Sequence, residues 1–218
     1  MPLISKPFLI RHSKIAIKSV PDSARRLREI AVKSLASDEG FDIFLSHAFV
    51  DADYILLLYD FLTEIGYTVF VDWIEAPQLD RSNVKKETAD ELRKAMRRSE
   101  SLLFAVSSSS GNSKWMPWEL GYSDALHGKV AVMPIRDMEN AEEAYSGQEY
   151  LGLYPYITSN PNGEGQAQLW VNWSTDQCVS LTGWIRGEQA KKLSLFSKAL
   201  RETTGELSIL ELSSSKKN

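Results

Sequence analysis

Only one cysteine, Cys178, occurs in the 218 residues of the chain. No intramolecular disulfide can form, and a reducing compartment is the simpler reading. A basic excess is also missing. The 25 Lys and Arg stand against 29 Asp and Glu, for a net charge of −4, which argues against a general nucleic-acid binder. That balance still leaves room for a small anionic ligand. No apolar run approaches the roughly 20 residues a membrane helix needs. The opening MPLISKPFLIRHSKIAIKSV is interrupted by Lys6, Arg11 and Lys14 and lacks the continuous apolar centre of a signal peptide. The expectation is a cytoplasmic protein that engages no membrane and binds no nucleic acid directly. Histidine and cysteine are too few and too scattered to supply a clustered ligand set, so no metal is expected.

What is present is ordinary for a soluble globular chain: 43% hydrophobic and 25% charged residues. The length suits one substantial domain with an appendage. PDSARRLREIAVKSLASDEG (21–40) carries Leu27, Ile30, Ala31 and Leu35 at helical spacing, with Asp22 or Ser23 as cap and Gly40 as stop. Residues 1–40 therefore read as an N-terminal extension with one helix. From residue 41 the pattern alternates. FDIFLS (41–46), YTVFVD (67–72), SLLFAVSS (101–108) and KVAVMPI (129–135) read as strands. Residues 51–66, 84–100 and 113–128 read as the helices between them, the first with Leu57, Leu58, Phe61, Leu62 and Ile65 inward. Strands that are continuous apolar runs, alternating with helices, imply a parallel sheet covered on both faces. Further on, 138–146 suggests a short helix, 158–166 a loop, 166–174 a fifth strand and 175–187 a closing helix. Residues 188–218 are assigned to a C-terminal helix and a disordered tail.

In an open α/β sheet, ligands bind beyond the carboxyl ends of the strands. That rule selects Ser46, His47, Ala48 and Phe49 after the first strand, Asp72, Trp73 and the loop to Asn83 after the second, 107–112 after the third, leading into SKWMPWELGYSDA (113–125), and 134–137 after the fourth. With Ser113 as N-cap, Pro117 falls at the fourth helical position, where its missing N–H costs no bond. Trp115 and Glu119 share a face, and Trp118 is expected to pack elsewhere. Burial beside an indole raises a carboxyl pKa and a helix N-terminus lowers it. A solvated surface acid and a catalytic carboxylate are both open readings of Glu119. The serine run 107–110 is a candidate phosphate cradle without a glycine-rich signature. The basic face of Lys85, Lys86, Arg93, Lys94, Arg97 and Arg98 reads as a solvated helix surface.

FDIFLSHAFVDAD, GYTVFVDW and SKWMPWELG, in this order and spacing, resemble the Toll/interleukin-1-receptor (TIR) domain, and the bacterial branch most closely. The resemblance covers 41–135 well and extends more loosely to about residue 187, which sets a TIR domain at 41–187. It implies a flavodoxin-like α/β fold with a five-stranded parallel sheet in the order 2-1-3-4-5 and helices on both faces. It also implies cleavage of NAD+ at the nicotinamide–ribose bond, with NAD+ as substrate and no cofactor. The family's catalytic glutamate, the last residue of Trp-x-x-x-Glu, falls on Glu119 and its tryptophan on Trp115.

The loop DWIEAPQLDRS lacks the Arg-Asp-x-x-Pro-Gly of many receptor and adaptor versions, which favours the enzymatic group. The substrate-binding positions implied are Trp115, Ser46, His47, Ala48, Phe49, Asp72 and Trp73. For Asp72 the residue itself favours a structural role, capping or bracing the loop. The expected activity is that of an NAD+ nucleosidase giving ADP-ribose or a cyclic isomer in bacterial antiphage signalling. Activation is expected by self-association through TIR–TIR contacts that include the 73–84 loop. The alternative is a non-catalytic TIR scaffold or a virulence adaptor mimic.

Overall fold

Four short apolar runs form the parallel strands that organise the first part of the chain: β2 (Phe41–Ser46), β3 (Val69–Val71), β4 (Ser99–Val106) and β5 (Val130–Arg136). The computed structural model describes residues 2–17, 19–72, 86–108, 110, 113, 115–139, 144–147, 149–161 and 167–192. The chain divides into two compact units, Ile4–Glu139 and a second made of the first three residues with the segment after Glu139.

In the first unit the strands lie in the order β3-β2-β4-β5, all parallel. Counted from residue 41, this is the 2-1-3-4 arrangement expected. Ile43, Phe44, Leu45 and Ser46 are all buried. Successive strand residues point to opposite faces, so both faces of β2 are covered. Phe44 and Phe70, paired in register across β2 and β3, stack with ring centroids 5.3 Å apart.

The helices of this unit are α1 (Lys6–His12), α2 (Val20–Leu35), α3 (Ala52–Glu64), α4 (Lys86–Arg97) and α5 (Trp115–His127). In α3 the buried stripe contains Leu57, Leu58, Phe61 and Leu62 as expected, together with Ile55 and Leu56. Ile65 lies just past the helix and is half-buried. Gly66 follows with φ of +97°, a backbone state that glycine enters without steric cost.

The N-terminal extension holds more than one helix. Ile4–Ser5 form strand β1, parallel to β5, and bring the parallel strands of this unit to five. Ser5 then caps α1 by accepting from the Phe8 N–H at 3.2 Å. Phe8 sets its ring edge-on to Phe61 of α3, 5.2 Å between centroids. At the far end of α1, Asp60 accepts from the Ser13 hydroxyl at 2.6 Å and the Lys14 N–H at 2.7 Å. The charges that interrupt this stretch hid a two-turn helix whose one fully buried residue is Leu9. Helix α2 is capped by Ser19, not by Asp22 or Ser23, and ends at Leu35, five residues before Gly40.

The second unit is antiparallel. Strands β6 (Tyr156–Pro161), β7 (Ala167–Asn172), β8 (Gln177–Ser180) and β9 (Lys191–Lys192) pair in sequence, and a short α6 (Leu181–Ile185) follows β8. Within the run 166–174, Ala167–Asn172 is thus a strand, but its partners are antiparallel. Residues 158–161, expected in a loop, belong to β6. Their polar composition is accommodated because the ladder to β7 pairs the backbone and the buried Asn172 amide donates to Thr158 Oγ1 at 3.0 Å. The expected closing helix over 175–187 is helical only at Leu181–Ile185, because Cys178, Val179 and Ser180 pair with β7 as part of β8. The described residues of 138–146 form no helix. Of the segment assigned to a C-terminal helix and tail, 193–218 lie outside the described residues, and Lys191–Lys192 are strand. No helix of the described residues is long and apolar enough to cross a membrane.

Candidate active site

Parallel strands bring their carboxyl ends to one rim. Ser46 is the last residue of β2, Asp72 follows β3, Ser107 follows β4 and Asp137 follows β5. The register pairs Leu45 with Val71, so Ser46 and Asp72, each one residue further on, are neighbours at that rim. Helix α5 packs on β2, β4 and β5. Its buried face is Met116, Glu119, Leu120 and Ser123, a stripe at three- and four-residue spacing with a carboxyl group in the middle.

Glu119 is 1% exposed. The Ser46 hydroxyl donates to its Oε2 at 2.5 Å, while Oε1 is sealed from solvent without a hydrogen-bond donor. Asp72 brings its own carboxyl group within hydrogen-bonding reach of Glu119. Burial first, then the charge and contact of Asp72, hold the Glu119 carboxyl well above the usual carboxylate range, and the Ser46 hydroxyl opposes them. The competition between burial and the helix N-terminus is decided by position. Ser113 Oγ accepts from the Met116 N–H, so the helix begins there and Glu119 lies beyond its first turn. The dipole acts mainly within that turn.

His47, Ala48 and Phe49 continue from Ser46 beyond the end of β2. His47 is buried and its Nδ1 lies 3.2 Å from the Leu45 carbonyl. A carbonyl only accepts, so Nδ1 carries the proton. Desolvation pushes the imidazole pKa down to about 4, so the ring is neutral at neutral pH and holds its place by hydrogen bonding. Ala48 is buried. Phe49 opens a 3-10 turn, Phe49–Asp51, that leads into α3. The Asp72 carboxyl group acts on Glu119, and the loop it would brace lies outside the described residues. Trp73 and the 73–84 loop lie outside the described residues.

Trp115 is half-buried, and its ring meets Trp118 edge to face at 5.3 Å. The two indoles, expected to part, are therefore in contact. Trp118 stacks in turn on Tyr122 at 5.8 Å, and Arg93 and Arg97 of α4 lie over Trp118 and Tyr122 at 5.3 and 5.9 Å from the ring centroids. These cation–π contacts, the Arg93–Asp90 pair at 2.8 Å and the Lys94–Glu91 pair at 3.1 Å account for much of the basic face of α4. Lys85 lies outside the described residues.

A second polar cluster occupies the same rim; the strand-end rule reached Ser107, Ser108 and Asp137 but not Asp51 or Lys6. Asp51, buried at the start of α3, accepts from the Ser107 hydroxyl at 2.8 Å on both oxygens. Ser108 donates to Asp137 at 3.0 Å. Lys6, delivered by β1, pairs with Asp137 at 2.5 Å and lies 3.9 Å from the Tyr54 ring centroid. Burial leads the causes that raise the Asp51 pKa. In the serine run, the Ser107 N–H donates to Ser110 Oγ at 2.8 Å and the Ser110 N–H to the Ser107 carbonyl at 3.4 Å. Those two amides are committed within the loop, and residue 109 of the run lies outside the described residues. The described residues contain no group of three or more His, Cys, Asp or Glu arranged to hold a metal ion.

The TIR domain profile matches residues 43–169. The chain is 42% identical over 192 residues to "Probable 3' cyclic ADP-D-ribose synthase ThsB'" of Bacillus cereus (strain MSX-D12), an alignment that covers 85% of this chain and 99% of that protein. It is 24% identical over 117 residues to "Putative cyclic ADP-D-ribose synthase TIR2" of Cytobacillus dafuensis, covering 53% of this chain and 31% of that protein.

Proposed function

Since the chain belongs to the TIR domain family, and aligns with nearly the full length of a relative named as a 3' cyclic ADP-D-ribose synthase, we propose that it cleaves NAD+ at the nicotinamide–ribose bond and closes the product into a cyclic ADP-ribose. The observation that carries this reading is Glu119. A carboxyl group centred on the buried face of a helix, held by one hydroxyl and left with a sealed oxygen, is costly to a fold. A non-catalytic scaffold has no use for that cost.

Nicotinamide leaves neutral, so the barrier lies in the positive charge that develops on the ribose. Glu119, once ionised, stabilises that charge from a site that excludes water, where electrostatic interactions are strongest. Ser46 fixes the carboxyl orientation. Trp115 forms a wall of the pocket, and His47, Ala48 and Phe49 line the nicotinamide and ribose side. Asp72 and Trp73 complete the substrate contacts at the end of β3. The bond from C1 of the ribose to the nicotinamide nitrogen breaks with its electron pair on nitrogen. A hydroxyl of the adenosine ribose then attacks C1 and loses its proton, so the products are nicotinamide, a cyclic ADP-ribose and one proton. NAD+ is the substrate in this reading, and no cofactor or metal takes part. Self-association through TIR surfaces, including the 73–84 loop, promotes activity. The setting is cytoplasmic antiphage signalling in a bacterium.

The test incubates concentrated protein with NAD+ and follows nicotinamide release. Chromatography with mass detection separates linear ADP-ribose from the cyclic product, which is lighter by one water. Release by the native protein and its loss in Glu119→Gln are expected. Equal rates for both proteins would remove Glu119 from the chemistry, and a wholly linear product would remove the ring closure.

A further inference from the structure

At the β1 end of the rim, two donors from distant parts of the chain converge on one carboxylate. Lys6 Nζ pairs with Asp137 Oδ1 at 2.5 Å, and the Ser108 hydroxyl donates to Asp137 Oδ2 at 3.0 Å. Lys6 follows β1, Ser108 follows β4 and Asp137 follows β5. We propose that Lys6 and Ser108 form an anion subsite for the diphosphate of NAD+, and that the Asp137 carboxylate holds its place until substrate arrives. The choice of NAD+ as ligand rests on the cleavage proposed above.

The three partners differ in how firmly they are held. The Lys6 side chain is 15% exposed and its ammonium lies 3.9 Å from the Tyr54 ring centroid. Asp137 is 56% exposed. An exposed carboxylate gives up an ion pair at little cost, whereas a largely buried ammonium requires an anion beside it. The donors are therefore fixed and the acceptor is exchangeable. Phosphoryl oxygens offer the same acceptors with more charge, and lysine binds them as a point charge. The buried Asp51 of the same cluster accepts from Ser107 and leaves Lys6 to Asp137. Position agrees with this ligand, because open α/β sheets bind along this rim. Strands β2, β4 and β5 are successive neighbours, so at about 4.8 Å per step Asp137 lies about 10 Å along the rim from Ser46, the residue that holds Glu119. In NAD+ the diphosphate is joined to the same ribose whose C1 is cleaved, so a substrate seated at Glu119 extends its diphosphate along the rim. Lys6 also lies outside the residues matched by the TIR profile. The subsite thus gives the N-terminal extension a part in substrate binding.

A purely structural tie and an anion subsite predict opposite results for Asp137→Asn. If the pair only ties β1 down, loosening Lys6 leaves anion affinity unchanged or weaker. If the carboxylate competes with substrate, its removal strengthens anion binding through Lys6. Inorganic diphosphate is titrated calorimetrically at low salt into the native protein, Asp137→Asn, Lys6→Met and the double variant, each checked for folding by circular dichroism. Asp137→Asn should bind about fivefold tighter, the contribution of one exposed ion pair. Lys6→Met should lose binding, and the double variant should not regain it. Equal affinity in the native protein and Lys6→Met overturns the subsite. So does a gain in Asp137→Asn that persists without Lys6, which would be a general effect of charge. A second titration, of NAD+ into Glu119→Gln with and without diphosphate, identifies the source of the anion. Competition is expected, and diphosphate that binds at Lys6 without weakening NAD+ overturns the assignment to substrate. If these titrations behave as expected but the native protein never releases nicotinamide, the catalytic reading fails and the subsite stands.

Discussion

Replacing Lys6 by methionine should cost the fold about 1–2 kcal/mol. Methionine keeps the aliphatic stem and deletes the ammonium group, which meets two partners. The first is the Tyr54 ring, 3.9 Å from Nζ to the centroid. Such a contact contributes roughly 0.5–1 kcal/mol when exposed and about 2 kcal/mol when desolvated, and the Lys6 side chain is only 15% exposed. The second is Asp137, at 2.5 Å but itself 56% exposed, so this pair is discounted to at most about 1 kcal/mol. Desolvation lowers the Lys6 pKa, but the hydrogen bond to Asp137 and the nearby Tyr54 and Asp137 more than reverse it. The bound ammonium is thus a net gain to the folded state. For a chain of this size, 1 kcal/mol corresponds to about 2–4 °C in melting temperature, so a fall of about 2–8 °C is expected by differential scanning calorimetry. Adding 0.5 M NaCl should shrink the part due to Asp137 and leave the part due to Tyr54. A Lys6→Met protein that melts within 1 °C of the native one, or a Tyr54→Leu partner variant whose effect simply adds to it, would refute the assignment of Lys6 as the tie between β1 and this rim.

Three further outcomes follow from the same structure. Glu119→Gln should be more stable than the native protein at pH 8, by about 1–3 kcal/mol, because a neutral amide replaces the buried carboxyl group and its NH2 can donate where the orphan oxygen could not. The carboxyl of Glu119 ionises near 4.5 when unfolded and well above that when folded, so native stability is fully present below that value and falls as pH rises through the folded pKa. The variant should lack this slope in urea titrations at several pH values. Ser46→Ala removes the donor to Oε2 and should lower stability by about 1–3 kcal/mol, while moving the acid limb of nicotinamide release to higher pH. Arg93→Ala uncovers Trp118 and should cost about 0.5–1 kcal/mol, with a red-shifted tryptophan emission as the readout.

Sequence periodicity reached most of the parallel unit because its signals are local. Short apolar runs such as FDIFLS suit strands covered on both faces, and the spacing of Leu57, Leu58, Phe61 and Leu62 suits one inward helix face. The stripe Met116, Glu119, Leu120 and Ser123 is equally local, and its helical spacing points Glu119 toward the sheet along with its apolar neighbours. The missed features depend on distant partners. Nothing near Asp72 announces a second carboxyl group, because Glu119 is 47 positions later and meets it only once β2 and β3 are in register. Nothing in SKPFLIRH announces a strand and a cap, because the strand exists only against Ile135 and Arg136. The second unit misled for a different reason. Polar runs such as Thr158–Asn160 read as loop by composition, yet the β6–β7 ladder and the Asn172 amide satisfy them.

The pairing of Ile4 and Ser5 with Ile135 and Arg136 spans about 130 residues of chain, and that sets an order of events during synthesis. Chain emerges from the ribosome at about 5–20 residues per second, so the first strand waits on the order of ten seconds for its partner to appear. Helices α1 and α2 have α3 to pack on well before then. The two residues of β1 can only dock after β5 has formed, and Lys6 can only then meet Asp137. The earliest part of the chain to be made is therefore the last part of its unit to be finished, and the rim is completed from both ends of the unit at once.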